Sequence, residues 1–273
     1  MFNCIVSLAG VYGDSKGVRR LSALSDLVVA ADGGADMLLK TGIEPDWVIG
    51  DDDSAEMSLP EKTIQLLFSE DKNYTDGELA IALALYLAES KSVIETKDSL
   101  LKAIYTADDA AADSDISNEY LAKIMTANFR QPKDRTGLSF LILFPFGKRV
   151  DHSWTNVLLA ASLARSGAKV YLSDGLTLAR IIAGKLPFQP AFAPETLAGS
   201  TILEQSPLAF SAMPLDDKVR GFTLKGLQWE LDQAELAYNR AAAVSNRPCK
   251  TGKVNPYVSL DQGTVMLLFT TAD

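Results

Sequence analysis

The sequence predicts an α/β fold in two parts, an N-terminal and mostly parallel α/β domain followed by a C-terminal antiparallel β-sandwich. In the first part, short apolar runs bounded by turn residues alternate with helix-like stretches, a pattern typical of buried parallel strands and their crossover helices. This alternation stops near Asp174–Leu178, and after Leu186 short apolar runs follow one another at frequent turn signals. We therefore predict a Rossmann-like domain over 1–176 and a sandwich domain over 177–273.

The first domain contains apolar runs that are each followed by turn residues or by a helix. The predicted strands are Cys4–Ala9, Leu27–Ala31, Trp47–Ile49, Thr63–Phe68, Ser139–Phe144 and Lys169–Leu172. The predicted helices are Val18–Ser25, Ala35–Lys40, Asp76–Glu89 and Ser153–Ser166. In the third of these helices, Thr75 is the expected N-cap and Glu78 completes a capping box. The alanine- and leucine-rich sequence of that helix predicts that it packs deep in the fold.

The segment from about Lys91 to Gly137 interrupts the alternation. It has helix-like patches at Leu100–Tyr105 and Tyr120–Ala127, on either side of a small and acidic stretch. We interpret it as an inserted helical hairpin or a partly disordered excursion without recognisable chemistry. The predicted sandwich strands are Thr201–Leu203, Leu208–Met213, Phe222–Leu224, Gln228–Leu231, Ala241–Val244, Tyr257–Leu260 and Val265–Thr270.

The composition narrows the class of partner. The chain has 273 residues and a formal net charge of −9, so its surface repels a phosphate backbone and argues against nucleic-acid binding. Local cations and Mg²⁺ can still offset the charge of a bound nucleotide. Cys4 and Cys249 are far apart in sequence, and we interpret them as free thiols of a reducing compartment. Because no signal-peptide pattern and no apolar stretch of membrane-spanning length is found, we expect a cytoplasmic protein without a membrane partner.

Acidic residues follow the predicted strands at Asp32, at Asp51 with Asp53, at Asp76 and at Asp151. In an open parallel sheet, ligands bind beyond the carboxyl ends of the strands, so these carboxylates are expected at one edge. Asp51 and Asp53 are two residues apart, and in an extended segment their side chains project to the same side. Such carboxylates would repel one another without a cation, and they are the hard oxygen ligands that suit Mg²⁺. The pattern predicts a metal-dependent site that handles phosphates.

Cationic side chains follow the strand Ser139–Phe144 and are expected at the same edge. Lys148 precedes Arg149, whose guanidinium group can clamp a phosphate with two hydrogen bonds. His152 is the single histidine, and a local role at the start of a helix and a substrate-facing role are about equally supported. One histidine excludes a zinc site with two or three histidines, and neither a Walker A motif nor a nucleophile elbow occurs. A glycine-containing loop after the first strand is more typical of an ordinary turn than of a phosphate loop.

An ordered set of short motifs resembles the thiamine pyrophosphokinase family. The motifs are ADGGA (31–35), PDWVIGDDDS (45–54), TD (75–76), GKRVDH (147–152), GLQWEL (226–231) and SN (245–246). Each motif alone is weak, but their order, with strands and helices correctly placed between them, is specific. The resemblance covers most of the chain, apart from roughly 91–137.

The resemblance implies a homodimer that transfers a diphosphate from ATP to the hydroxyethyl group of thiamine and releases AMP. It implies that Asp51, Asp53 and Asp76 bind Mg²⁺ and phosphates, and that the catalytic residues are Asp51, Asp76, Arg149 and Asp151. The ATP side would comprise Asp32, Gly33, Asp53, Thr75, Lys148 and His152. The thiamine side would comprise Trp229, Ser245 and Asn246, at the junction between the sandwich of one subunit and the α/β domain of its partner.

Considered without the family, the thiamine-side residues have plainer interpretations. A tryptophan in a strand belongs to the core more often than it forms a stacking platform, and Ser245-Asn246 before Pro248 is typical of a turn. The sequence does not decide whether Asp151 or Asp76 orients the attacking hydroxyl. Two rival functions stay open: a diphosphokinase for another heterocyclic alcohol, such as a pterin, and a non-catalytic protein that binds thiamine or a nucleotide.

The chain also departs from the family pattern. Asp36 stands where the family usually has Asn, and Asp52 stands where it has a bulky apolar residue, so we expect Asp52 to point away from the metal. After Thr75-Asp76 the family commonly carries Phe-x-Lys, whereas this chain has Gly77-Glu78-Leu79 and lacks that lysine. Lys148 replaces a glycine and can restore a cation nearby.

Overall fold

The computed structural model describes residues 1–51, 57–68, 73–90, 94–104, 118–249 and 254–272. The strands are β1 (Cys4–Ser7), β2 (Val28–Ala31), β3 (Trp47–Gly50), β4 (Ile64–Leu67), β5 (Ser139–Leu143), β6 (Lys169–Ser173), β7 (Leu178–Ala183), β8 (Leu186–Pro190), β9 (Leu208–Pro214), β10 (Lys218–Lys225), β11 (Leu231–Ala237), β12 (Tyr257–Leu260) and β13 (Thr264–Thr271). The helices are α1 (Ser15–Ser22), α2 (Gly34–Leu39), α3 (Asp76–Glu89), α4 (Lys97–Ile104), α5 (Asn118–Arg130), α6 (Val150–Arg165) and α7 (Pro194–Gly199). A short 3₁₀ helix spans Ile202–Glu204.

The described strands form two sheets. The larger sheet has the order β4-β3-β2-β1-β5-β6-β7-β13-β9, and the smaller sheet has the order β11-β10-β12-β8. The strands from β4 to β6 in the larger sheet run parallel, whereas β7, β13 and β9 continue it in antiparallel fashion. This confirms the predicted α/β class with a large parallel-rich sheet and an antiparallel β part.

Side chains alternate across the larger sheet and bury two cores. In β1, Cys4 and Val6 face one core, and Ile5 faces the other. The first core lies under α3, α5 and α6, whose apolar residues include Leu83, Met125 and others that are fully buried. The second core joins α1 and α2 to the smaller sheet. Because successive strand residues point to opposite faces, short all-apolar runs are what a sheet covered on both faces requires.

Helix α3 packs deep in the fold, as its composition predicts. Its residues from Leu79 to Leu85 are all buried. Thr75 caps the helix, since its Oγ1 accepts a hydrogen bond from the backbone N–H of Glu78 at 3.1 Å. The carboxylate of Glu78 pairs with Arg130 of α5 at 2.7 Å.

The predicted insertion contributes to the core rather than standing outside it. Helix α5 packs against α3, with Leu121 and Met125 fully buried. Arg135, only 3% exposed, donates to Glu89 at 3.1 Å and ties the end of this segment to α3. The segment contains the helices α4 and α5, so of the two expected alternatives the partly disordered excursion is wrong for α5, while the acidic stretch between α4 and α5 lies outside the described residues.

The C-terminal part differs from the sequence expectation in detail. The run Thr201–Leu203 was expected as a strand but overlaps the 3₁₀ helix, and Ala241–Val244 lies in a turn. The structure adds β7 and β8, which the turn signals did not indicate. The predicted domain boundary near residue 176 stays a prediction; β7 follows it and pairs with β6, so the larger sheet continues across this point. In the described part of the chain, no helix has the length and apolarity needed to span a membrane.

Candidate active site

A cavity of about 540 Å³ lies beyond the carboxyl ends of β1, β2, β3 and β5. Several predicted site residues line it: Asp32, Asp51, Thr75, Asp76, Lys148, Arg149 and His152. Its position is the one expected for a ligand in an open parallel sheet. The cavity therefore brings three carboxylates and the cations of the GKRVDH motif to one place.

Asp32 reaches the cavity because the chain turns sharply after β2. Its φ of 37° lies in the left-handed region, and its N–H donates to the carbonyl oxygen of Ile49 at 2.9 Å. A side chain on Gly50 would come within 2.7 Å of the Asp32 Cβ, so glycine is needed beside it. A side chain on Gly34 would collide with the Ser7 carbonyl, which explains the second glycine of the ADGGA motif. Gly33 is the N-cap of α2 and does not line the cavity.

Asp51 and Asp76 approach the cavity from different elements. Asp51 follows β3 and is half-buried, and Asp76 is the first residue of α3. The first turn of a helix favours an anion, because the backbone N–H groups there lack intrahelical partners. Asp53, the third predicted metal ligand, and Asp52 lie outside the described residues. Asp36 lies behind this edge, buried, with Oδ1 accepting a hydrogen bond from the N–H of Met57 at 3.1 Å.

The residues present fit a magnesium ion that is completed by phosphates. Within the described ranges, no three acidic, histidine or cysteine side chains are close enough together to hold a metal by themselves. Mg²⁺ commonly takes one or two protein carboxylates together with substrate phosphates and water. Asp51 and Asp76, which line the same cavity, supply that number of carboxylates.

The GKRVDH motif contributes cationic side chains to the cavity. Lys148, Arg149 and His152 are exposed and line the cavity, whereas Asp151 does not line it. Asp151 instead binds Arg149, with Nη2 donating to Oδ2 at 2.6 Å and Nε donating to Oδ1 at 3.3 Å. This hydrogen bond lowers the pKa of the Asp151 carboxyl below its usual range and raises that of the Arg149 guanidinium. Asp151 is therefore placed to orient Arg149.

The polar face of α6 is a part of the cavity that sequence reasoning missed. Ser153, Thr155 and Asn156 line the cavity beside His152. The Ser153 hydroxyl accepts from the Gly147 N–H at 2.9 Å, and the Asn156 amide donates to the Pro145 carbonyl at 2.8 Å. The sequence signal that could have revealed them is the helical spacing of polar residues directly after the motif.

The lysine that the family motif carries has no equivalent space here. Leu79 stands at that position and is fully buried in the core under the larger sheet. A charge there would be taken out of water without a partner, which is costly. Lys148, at the cavity wall, supplies a cation from another element.

The predicted thiamine-side residues lie elsewhere in the chain. Trp229 is in the loop between β10 and β11 and is 54% exposed, so its interpretation as a core residue is wrong. Asn246 is buried and holds this loop: its Nδ2 donates to the Trp229 carbonyl at 2.6 Å, and its Oδ1 accepts from the Trp229 N–H at 3.1 Å. Ser245 has a φ of 59°, and its N–H donates to the Ser211 hydroxyl at 3.1 Å.

The sheet order separates these residues from the cavity of the same chain. Asn246 pairs with Phe210 of β9, and β9 is separated from β1 by four strands of the larger sheet. Since neighbouring strands are about 4.8 Å apart, β9 lies roughly 24 Å from β1 across the sheet. Trp229, Ser245 and Asn246 do not line the cavity.

The fold and the cavity define the class of protein as an α/β protein with a cavity lined by carboxylates and cations at the carboxyl edge of a parallel sheet. Two family models match the chain, the catalytic domain of thiamin pyrophosphokinase over residues 18–172 and the vitamin B1 binding domain of thiamin pyrophosphokinase over residues 202–264. The chain therefore belongs to the thiamin pyrophosphokinase family, and its enzyme class is that of a thiamine diphosphokinase.

Solved structures agree with the fold. Yeast thiamin pyrophosphokinase is similar with a TM-score of 0.67 and 18% identity, over 98% of this chain and 86% of that chain. Thiamin pyrophosphokinase from Candida albicans has a TM-score of 0.66 and 12% identity, over 99% and 89%. A thiamin pyrophosphokinase family protein from Enterococcus faecalis has a TM-score of 0.58 and 17% identity, over 99% and 100%. Among curated proteins, no significant match is found.

Proposed function

We propose that the cavity binds ATP with Mg²⁺ and that the enzyme transfers the terminal diphosphate of ATP to thiamine, giving thiamine diphosphate and AMP. The observation that carries this assignment is that carboxylates and cations line one and the same cavity at the carboxyl edge of the sheet. Phosphates need cations, and a metal needs carboxylates, so the two kinds of side chain together complement a metal-bound nucleotide. In a diphosphoryl transfer, the protein mainly has to align the two substrates and neutralise the charge of the phosphates.

In the reaction, the thiamine hydroxyl oxygen attacks the β-phosphorus of ATP, and the bond from that phosphorus to the oxygen bridging to the α-phosphate breaks. AMP leaves with the bridging oxygen, and the hydroxyl gives up its proton. Asp76 lines the cavity, whereas Asp151 lies outside its lining and binds Arg149. This arrangement supports Asp76 over Asp151 as the residue that orients the hydroxyl and accepts its proton.

The cationic side chains of the cavity offset the negative charge that develops on the phosphates during the transfer. Arg149 donates hydrogen bonds from Nε and Nη2 to Asp151. Its Nη1 can therefore bind a phosphate while the ion pair is kept. Lys148 adds a second positive charge beside it. Asp51 and Asp76 would hold Mg²⁺, together with Asp53 by the family resemblance. Bound there, the metal would supply charge neutralisation on the phosphates.

We infer further that the active form is a homodimer in which Trp229 of one subunit completes the thiamine side of the other. The separation of roughly 24 Å between β9 and β1 supports this, because the Trp229 loop is held by Asn246, which pairs with β9. Val150, Trp154 and Leu158 are exposed at 78%, 51% and 42% and are four residues apart on α6, directly beside the cavity. An exposed apolar stripe of this kind suits a subunit contact.

We also propose that the protein is located in the cytoplasm. Cys249 is an exposed free thiol, while burial raises the pKa of the Cys4 thiol and keeps it unreactive. An exposed free thiol supports a reducing compartment such as the cytoplasm.

An AMP-release assay with ATP and Mg²⁺ tests the substrate, with thiamine and a hydroxymethyl pterin offered separately. We expect AMP with thiamine and none above background with the pterin. AMP with the pterin alone would assign the enzyme to another heterocyclic alcohol. If thiamine bound tightly in calorimetry but no AMP appeared, the chain would be a binding protein rather than a kinase.

A further inference from the structure

A second cavity, of about 590 Å³, lies at the opposite edge of the larger sheet. Its lining includes Asn3, Ser139 and Lys169, which stand at the amino ends of β1, β5 and β6. The catalytic cavity lies beyond the carboxyl ends of the same sheet, so the two cavities have no wall residue in common. This volume falls within the range of small-molecule sites.

Arg180 of β7 is the unusual residue of this cavity. It lines the cavity although the residue is only 7% exposed. Its described hydrogen bonds run from Nη1 to backbone carbonyl oxygens, that of Ala191 at 2.7 Å and that of Pro190 at 3.4 Å. Among the described residues, its buried Nε has no hydrogen-bond partner. A buried donor on a charged group is costly when it is left unpaired, so such a group needs an explanation.

Among the residues that the structure describes, no carboxylate forms an ion pair with Arg180. Its guanidinium group lies 5.8 Å from the centre of the Tyr171 ring, a cation–π contact that leaves the positive charge in place. The charged side chains that line the cavity are Lys169, Arg180 and Glu195, which sum to one positive charge. In a chain with a formal net charge of −9, a cavity with a net positive charge is a local exception.

Aromatic residues form the apolar part of the wall. Phe2, Tyr171 and Phe192 line the cavity, and the rings of Phe2 and Tyr171 meet edge to face at 5.6 Å. Burial raises the pKa of Tyr171, so its hydroxyl stays protonated at neutral pH. An apolar wall with one buried cation is the composition of a site for a small organic anion.

We propose that this second cavity is a ligand site for a small anion bearing a carboxylate or phosphate group, whose oxygens accept hydrogen bonds from the Arg180 guanidinium. The guanidinium group of an arginine can donate hydrogen bonds to the oxygens of either group. Lys169 at the rim adds long-range attraction. The inference stands apart from the thiamine diphosphokinase activity, since it uses no residue of the catalytic cavity.

The test follows the side-chain Nε–H signal of Arg180 by NMR in the whole chain. This signal is assigned by through-bond correlation to the Arg180 backbone, so that no variant is needed for the assignment. Inorganic phosphate and malonate are titrated separately at constant ionic strength with chloride. The Nε–H signal of Arg149 is followed in the same spectra, because it reports on the catalytic cavity. We expect a saturable downfield shift of the Arg180 signal, and the anion that binds more tightly identifies phosphate or carboxylate as the preferred group.

Two matched variants test the charge of the site. Lys169→Gln removes the rim cation and should weaken the affinity at Arg180 roughly two- to fivefold, as expected for an exposed charge. Lys185→Gln removes another exposed lysine, in the turn between β7 and β8, and should leave that affinity unchanged.

The result that overturns the proposal is an Arg180 signal that shows no saturable shift at about 20 mM of either anion, well above the millimolar affinity of a weak site. A shift weakened equally by both lysine variants would also overturn it, because it would reflect general charge screening. Loss of activity with thiamine would not affect this outcome, and a shift of the Arg149 signal alone would place the anion in the catalytic cavity.

Discussion

Arg149 and Asp151 form a two-point ion pair at the rim of the catalytic cavity, with Nη2 2.6 Å from Oδ2 and Nε 3.3 Å from Oδ1. Both side chains are more than half exposed, at 68% and 63%, so solvent screens the attraction and the pair adds little to folding stability. The ion pair instead fixes the orientation of the Arg149 side chain. Asp151 fixes one edge of the guanidinium group and leaves Nη1 for a phosphate.

Arg149→Gln should therefore damage catalysis more than Asp151→Asn. Loss of the guanidinium removes a cation from the transferring phosphate, and we expect kcat/KM for ATP to fall by roughly 10²- to 10³-fold. Asp151→Asn keeps the cation and loses only its orientation, so a fall of about tenfold or less is expected. Steady-state AMP release measures both. A larger loss in Asp151→Asn than in Arg149→Gln would instead point to Asp151 as the proton acceptor.

The same pair predicts a titration behaviour. Arg149 lowers the pKa of the Asp151 carboxyl, so the ion pair is complete at and above the ordinary aspartate range and is lost as the pH falls through the lowered pKa. A carbon-13 NMR titration of the Asp151 carboxyl should give a value below the usual one. In Arg149→Gln the value should return toward the usual range. An unshifted pKa in the wild-type protein would mean that the pair is not formed in solution.

The sequence was sufficient to predict the parallel half of the fold. The runs of β1, β2, β3, β5 and β6 are short, mostly apolar and followed by turn residues, because the sheet is covered there on both faces by helices or by the smaller sheet. The sandwich was less predictable. Strand β11 carries exposed polar residues such as Asp232 and Gln233, and β8 includes Pro187 and Pro190, so neither has the apolar pattern on which strand prediction depends.

The candidate site also has a part that the sequence could predict and a part that it could not. Acids after strand ends could be predicted because parallel strands bring their carboxyl ends to one edge. The polar residues of α6 were missed because Ser153 and Asn156 act through a helix face and a loop that close on one another only in three dimensions. The exposure of Trp229 could not be predicted either, since it depends on the buried Asn246 holding the loop from the other side.

Lys148→Gln should weaken ATP binding. Lys148 lines the cavity, and Leu79 occupies the position of the family lysine, so we propose Lys148 as the substitute cation. For an exposed charge we expect KM for ATP to rise roughly two- to fivefold, with kcat little changed. Lys185→Gln is the matched control and should keep the wild-type KM. An unchanged KM in Lys148→Gln would remove Lys148 from the nucleotide side.

Asp51→Asn should abolish the Mg²⁺-dependent turnover while the protein stays folded. The change keeps size and shape but removes the charge that a hard cation requires. Turnover measured against Mg²⁺ concentration, with circular dichroism as the check of folding, tests this. Asp217→Asn changes an exposed acid in the turn between β9 and β10 and serves as control. Unchanged turnover in Asp51→Asn would exclude Asp51 from the metal site.

Trp229→Ala and Asn246→Ala should separate binding from stability. Trp229 is exposed, so Trp229→Ala should lower thiamine affinity with a change in unfolding free energy within about 0.5 kcal/mol. Asn246→Ala removes a buried amide that also accepts from the Arg247 N–H at 2.9 Å, and it should cost about 1–3 kcal/mol of unfolding free energy as well. Calorimetry with thiamine and urea unfolding measure the two effects. Equal thiamine affinity in Trp229→Ala and wild type would contradict the assignment of Trp229.

Mixing inactive variants tests whether each site is shared between two subunits. Asp51→Asn disables the α/β side, and Trp229→Ala disables the thiamine side. If each site joins the α/β side of one subunit to the Trp229 loop of its partner, a mixed dimer has one site with both changes and one intact site. Random exchange then restores about a quarter of wild-type activity, because half of the dimers are mixed and half of their sites work. Asp51→Asn mixed with Arg149→Gln is the control and should stay inactive, since both changes lie on the α/β side. Recovery in neither mixture, with subunit exchange verified by mass spectrometry, would show that each site is built within a single chain.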